Sequence, residues 1–549
     1  MNLIVFIITS KRGRERMRFF KKKKTNKLTT ADPSPNQKVD PNQTDGLKAS
    51  LQENLQTIKD MLGKSTDIVF REIRIGKEGS INAGIIYTDG LTNTTSLQEF
   101  ILEKLMLDSK EIELQEKLAT GQSMISILKD FLMTVGEIKD ITTFEVLYGG
   151  LLSGDTIILI DGHAQGLVIS NKFWIERGVT EPVAQTVVRG PREGFSENLR
   201  VNTALVRRKL KDPNLWMESK VIGTRTKTNV AIMYINGVVD EKTVKEVHSR
   251  LDNIDIDGIL DSGNIEELIE DAPLSPFPTI YNTERPDAVA AALLEGRIAI
   301  LVDGTPFVLI VPALFIQFFQ SSEDYYQRAD IASFIRLLRF GSFGISLLAP
   351  AMFIAITTFH QTMLPPALLI SLTAQREGVP FPAFFEALLM ELTFEILREA
   401  GVRMPRSIGS AMSIVGAFVI GTAAVEAGVI SAAMVIVVSL TAIASFVSPT
   451  YDIAIAVRLL RFAFMGIAAL FGLFGIMVGI IALVLHLCSI RSFGIPYMAP
   501  LAPFNISDQK DTFIRLPRWK MITRPRLINQ KNVVRQQDST SAKPQPPKK

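Results

Sequence analysis

The sequence predicts an α/β soluble N-terminal half of two subdomains, joined to a polytopic α-helical membrane domain. Three observations carry this. Charged residues make up 21% of the 549-residue chain, yet between Gly341 and Leu487 they thin to a scattering among Ala, Ile, Leu, Val, Phe, Met and Gly. Apolar runs of that length exceed what a water-soluble core needs and suit a hydrocarbon layer. Before residue 320, short apolar runs that end in Asp-Gly or Asn-Gly alternate with helical periodicities, the signature of α/β layering. Finally, the net charge is only +4, but Lys and Arg gather in two arms, Lys11–Lys27 and Lys510–Lys549. Such arms either lie against anionic lipid on the cytoplasmic face or are solvated tails.

The elements follow in order. Residues 1–46 are a basic arm and linker, with prolines and no periodicity over 25–46. The opening apolar run is short and precedes the basic cluster, the reverse of an export signal; translation from Met17 is an alternative start, and neither gives a cleaved signal. A first subdomain (47–143) holds a helix to about Leu62, strands at Ile68–Ile73 and Ile81–Tyr87, and helices over 96–107 and 123–133. A second (144–320) holds strands at Thr156–Ile160, Leu167–Ile169 and Val230–Ile235, helices over 240–251 and 264–270, and a hairpin of Ile298–Val302 with Phe307–Val311. The stretch 298–319 is hydrophobic enough to imitate a span, but Asp303, Gly304, Pro306 and Pro312 oppose a regular helix.

In the membrane domain (321–490), Gly341–Phe359, Ile408–Ala427, Val429–Phe446 and Phe462–Leu487 are the expected crossings. Met363–Ala374 is short and opens on Pro365-Pro366, so it is re-entrant or part of a kinked span, and would be a fifth. Positive charge favours an even number with both termini cytoplasmic, leaving 491–549 as a basic tail. The single cysteine, Cys488, excludes a disulfide framework within the chain and reads as a buried thiol.

Enzyme chemistry finds no footing. Gly63-Lys64-Ser65 lacks the upstream glycine of a phosphate loop, since Ile58 stands there. Asn253, Asp255, Asp257 and Gly258 echo a calcium loop, but the twelfth position is Asn264 rather than Glu, so a βα turn is the better reading. The four histidines have no metal-ligand spacing, and no G-x-S-x-G elbow occurs. Neither a cofactor nor a nucleic acid is expected. Arg189 and Arg192, with Arg207 and Arg208 beyond them, either grip an anion or a partner's carboxylates, or simply surround a structural turn. Glu386, Glu391, Glu395 and Glu399 read first as a water-facing strip on an interfacial helix; inside a bundle they would form a negative strip. Gly409, Ser413, Gly416 and Gly421 make a small-sided segment ending at Glu426, suited to close helix packing or to a narrow pore.

The strings Leu152-Ser153-Gly154-Asp155-Thr156, Val187 to Phe195, Thr283-Glu284-Arg285-Pro286-Asp287, Glu323-Asp324-Tyr325-Tyr326, Glu399 to Pro405 and Ser492 to Tyr497 resemble the A subunits of GerA-type spore germination receptors. The resemblance runs from about residue 90 to 530. It implies a subunit of a nutrient receptor in the spore inner membrane; the count of positive charges puts the soluble half on the cytoplasmic side. The resemblance also implies a permease-like B subunit and a lipoprotein C subunit as partners, and a homo-oligomeric, nutrient-gated ion channel. A secondary-transporter subunit or a scaffold for the permease-like partner is the alternative.

Overall fold

The computed structural model describes residues 46–63, 65–75, 81–98, 137–173, 185–403, 419–528 and 532–535, with the isolated positions 125, 129 and 182. The expected helices over 96–107 and 123–133 lie almost wholly outside these residues, as does the basic arm.

Two five-stranded sheets build the soluble half. The first is preceded by α1 (Leu51–Leu62), whose N-cap Ser50 accepts from the Glu53 amide. It contains β1 (Ile68–Ile75), β2 (Ile81–Thr88), β3 (Ile138–Ile141), α2 (Phe144–Leu151), β4 (Thr156–Ile160) and β5 (Gly166–Ile169). The second follows α3 (Leu199–Lys209), with β6 (Leu215–Ile222), β7 (Thr228–Ile235), α4 (Glu241–Asp252), α5 (Ser262–Ile269), β8 (Tyr281–Thr283), α6 (Pro286–Leu294), β9 (Ile298–Val302) and β10 (Val308–Val311). The sheet orders are β1-β2-β4-β5-β3 and β6-β7-β9-β10-β8, the same order twice. All of these pairings are antiparallel.

Alternation along each strand feeds two cores. In β4, Ile157 and Leu159 pack with α1 and α2, while Ile158 and Ile160 join the opposite face. In β9, Ala299 and Leu301 face α3 and α6, and Ile298 and Ile300 face α4 and α5. The hydrophobic stretch after residue 298 is therefore sheet, not a span. One boundary needs correction. Residues 144–169, expected to open the second subdomain, belong to the first sheet, because β4 pairs with β2 through Ala83↔Ile160 to Ile86↔Ile157. The sheets divide between Ile169 and Leu199.

The helical half contains α7 (Ala329–Thr358), α8 (Pro366–Arg376), α9 (Ala383–Arg403), α10 (Ala432–Phe446) and α11 (Tyr451–Ser489). By length and composition, α7 and α11 are apolar enough to cross a membrane. The run expected as one last crossing is broken, however. Gly472 has φ 59° and ψ −143°, a non-helical conformation, and Gly479 lies against Phe464. Those two residues would stand about 22 Å apart on a straight helix at 1.5 Å per residue, so α11 is a helical hairpin turning at Gly472. Both ends return to the soluble half: Ile453 and Ala456 share a core cluster with Leu487, Ile490 and Tyr497. Hydrogen bonds agree, since His486 meets Ser275 at 2.9 Å and Asn282 donates to Asp452 at 2.9 Å.

The C-terminal tail, as far as residue 535, folds back rather than trailing. Fully buried Arg336 of α7 pairs with Asp324 at 2.9 Å and with Asp511 of the tail at 2.6 Å, and Tyr325 donates to Asp511 at 2.7 Å. Cys488 corrects another expectation: it is exposed, not buried, because it lies on the outer side of the hairpin's returning arm.

Candidate functional site: a charge ladder among the apolar helices

Helix α9 carries its charges at spacings of three to five residues, so most of them share a side. That side faces α10 and α11. Glu391 and Arg461 are both fully buried and pair at 2.5 Å. Arg461 also donates through Nε to the Ser346 carbonyl at 2.8 Å and through a terminal nitrogen to Ser346 Oγ at 2.9 Å. One turn along, Glu395 pairs with Arg458 of α11 and lies 3.5 Å from Arg398. Arg398 donates to Ser445 Oγ of α10 at 2.6 Å and lies over the rings of Phe394 and Phe446. At the other end, fully buried Glu386 accepts from the Ser431 amide at 2.7 Å and from its hydroxyl. Arg376 of α8 approaches Glu386 at 3.7 Å. Seven charges thus lie between apolar helices, where an isolated charge is costly.

The ladder is only partly satisfied. Glu386 Oε2, Glu391 Oε1, Glu395 Oε1, Arg398 Nε and Arg458 Nε are buried without a hydrogen-bond partner. A half-satisfied polar network stays sensitive to small movements of its helices. Chemically it offers oriented charge, able to hold helices in register or to interact with ions, and no nucleophile–base pair.

The strip reading of the glutamates therefore needs correction. Glu386, Glu391 and Glu395 do not face water, because α10 and α11 cover that side. Glu399 does remain outside and pairs with Arg403 at 2.6 Å on the surface. Gly421 and Glu426 are exposed near the positive-φ turn at Gly428, while Gly409, Ser413 and Gly416 lie outside the described residues. Arg458 and Arg461 escaped the sequence reading. Their signal was three-residue spacing at the start of the longest apolar run, which an intramembrane-charge search would find.

The arginines around residue 200 separate. Arg207 is fully buried and bidentate to Asp67, at 2.7 and 3.0 Å. It joins α3 to the turn before β1 and cannot grip a partner. Gly63 sits beside Trp216 at that same joint, where an added Cβ would meet the indole at 2.3 Å. Arg208 lies 3.5 Å from Glu193. Arg189 and Arg192 are exposed on a loop whose Pro191 carbonyl accepts from buried Arg285 at 2.9 Å. Asn264, the position that spoils the calcium loop, caps α5 in a reciprocal capping box with Asp261. Among the described residues, no group of His, Cys, Asp or Glu could hold a metal ion.

Where the halves meet, Glu266 of α5 is pushed up to about 7, first by burial and then by the neighbouring Asp452, with Asn282 opposing.

The chain is similar to known proteins over most of its length. The family model described as Bacillus/Clostridium GerA spore germination protein matches residues 56–527. Spore germination protein KA of Bacillus subtilis is 49% identical over 490 residues, 89% of each chain. The uncharacterized membrane protein YfkQ of the same organism is 44% identical over 90% of this chain and 94% of its own. Spore germination protein GerLA of Bacillus cereus is 40% identical over 88% and 97%. The crystal structure of the N-terminal domain of the A subunit of the Bacillus megaterium spore germinant receptor GerK3 is 44% identical, covering 50% of this chain and 99% of that one, with a TM-score of 0.40. Matched across most of its length, the chain belongs to the GerA family of spore germination proteins and is one of its A-type members.

Proposed function

We propose that this protein is the A subunit of a nutrient germinant receptor in the spore inner membrane, and that its helical half contributes to a gated ion path. The observation that carries the reading is the buried, half-satisfied charge ladder between α9 and α11 in a member of a spore germination family. Charges inside a bilayer are expensive and mark ion pathways or moving helices. The packing of the tail against the soluble half supports an even number of crossings with both on one side, and the basic arms support the cytoplasmic side. A permease-like B subunit, a lipoprotein C subunit and further copies of this chain complete the assembly, with the exposed Arg189 and Arg192 as contact candidates. Glu426 and Gly421, exposed at one end of the bundle, remain candidates for the path itself.

The test is the receptor reconstituted in liposomes. Current on nutrient addition, changed about tenfold or more by Glu426→Lys with insertion intact, is the expected result. Solute exchange without current would replace the channel with a transporter, and silence from an intact assembly would leave a scaffold.

A further inference from the structure

In the soluble half, one large apolar side chain has nothing around it. Leu274 is 99% exposed, on a turn that joins α5 to β8. The turn is stiff. Pro273, Pro276 and Pro278 restrict its backbone. The Ser275 amide donates to the Ala272 carbonyl at 2.9 Å, and the Phe277 amide donates to Ser275 Oγ at 3.2 Å. A loose loop could fold such a leucine away, whereas this one holds it out.

The turn is also fastened to the end of α11. Asp271 accepts from the Phe493 amide at 2.6 Å, and the Thr279 carbonyl accepts from Ser492 Oγ at 2.7 Å, so both ends are tied to the residues that follow the helix. Between them Ser275 meets His486 at 2.9 Å, and buried Phe277 shares a core cluster with Leu487 and Ile490. Leu274 is therefore held at the level of the last turn of α11. On the same arm of the hairpin Ile481, Val484 and Leu485 are exposed, and the exposed Arg491 follows it.

Length sets the depth. From Gly472 to Ser489 the arm rises about 26 Å at 1.5 Å per residue, against roughly 30 Å for a hydrocarbon layer. A hairpin whose turn reaches the far boundary keeps its other end at the near one. There an apolar side chain enters the acyl region and an arginine meets headgroup phosphates. On the membrane reading proposed above, we infer that the 271–279 turn is a lipid-contacting anchor. Leu274 sits among acyl chains at the headgroup boundary, with Arg491 toward the phosphates. The second sheet is thereby held to the bilayer at a point separate from the entry of α7.

The experiment uses the full chain in phosphatidylcholine–phosphatidylglycerol nanodiscs, in a Cys488→Ser background. A polarity-sensitive fluorophore is attached in turn to Leu274→Cys, to Ile481→Cys on α11 and to Val146→Cys on the exposed side of α2. Lipids bearing a nitroxide at the headgroup or along the acyl chain serve as quenchers. The Leu274 probe is expected to lose about half of its emission or more to shallow nitroxides. The Ile481 probe should be quenched by acyl-chain nitroxides, and the Val146 probe should stay at background. A Leu274 probe that matches Val146 while Ile481 is quenched overturns the anchor and leaves the membrane reading standing. An unquenched Ile481 probe overturns that reading, and the anchor with it. Quenching at Leu274 that disappears once the partner subunits are assembled would give this surface to a protein and likewise overturn the anchor.

Discussion

Buried charge is the feature that a single side chain decides in this protein. Glu391 and Arg461 have no exposed surface and meet each other at 2.5 Å. Removing one leaves the other charged and enclosed, which costs about 3–5 kcal/mol, whereas replacing both with apolar side chains of similar volume is close to neutral. Glu391→Leu is therefore expected to lower the thermal midpoint of the detergent-solubilised chain sharply, and adding Arg461→Met to restore most of it. Additive losses would show that the two side chains are not coupled. Hydropathy and helical spacing made these glutamates visible from the sequence, but not their burial. Their partners sit some seventy residues on, and a pairing at that separation leaves no local pattern. Glu266 makes a second case. Its carboxyl is pushed up to about 7, chiefly by burial, against 4.5 in an unfolded chain. A carboxyl raised in this way contributes stability that is complete below pH 4.5 and is lost as pH climbs to about 7. The loss is at most about 3 kcal/mol, less what solvent screens at a half-buried site. Glu266→Gln should flatten the fall in thermal midpoint between pH 5 and pH 8. An unchanged slope would place the titration elsewhere.

Turns and strands show how far local pattern reaches. The short apolar runs in β2, β4, β7 and β9 were legible because each depends on a few neighbouring residues. Sheet membership was not. Thr156–Ile160 reads as a buried strand whichever sheet it joins, so nothing near it announced the pairing with β2. The hairpin in α11 was hidden for a related reason: a long apolar run looks the same straight or folded, and Gly472 is one glycine among several in it. Only its backbone tells it apart. A side chain at φ 59° and ψ −143° is strained by about 1–3 kcal/mol, and a Cβ there would also stand 2.9 Å from His360 and 3.1 Å from Phe359. Gly466 has open space around the same addition. Gly472→Val is expected to cut folded yield and thermal midpoint, while Gly466→Ala holds or gains up to about 1 kcal/mol from helix propensity. Equal behaviour of the two variants would mean that the helix does not turn at Gly472.

Across the whole molecule, the repeated sheet order and the returning hairpin have one consequence. The second sheet, the entry to α7, both ends of α11 and the tail form one packed junction. Its core contains Phe315, Phe318, Phe319 and Tyr497, and its rim holds the Arg336 clamp onto Asp324 and Asp511. A displacement of the soluble half would therefore meet the helices through close-packed contacts. The same arrangement carries a prediction about sidedness. A last run that crossed once would carry the tail to the far face; a hairpin brings it back to the soluble half. The chain's single thiol reports the difference, since Cys488 is exposed one residue before α11 ends. In sealed vesicles of known orientation, a membrane-impermeant maleimide should label Cys488 only when added on the side that bears the soluble half. Phe504→Cys in a Cys488→Ser background should follow it, because Phe504 is 70% exposed in the folded-back tail. Labelling of either position from the opposite side would open the hairpin into a single span and remove the junction with it.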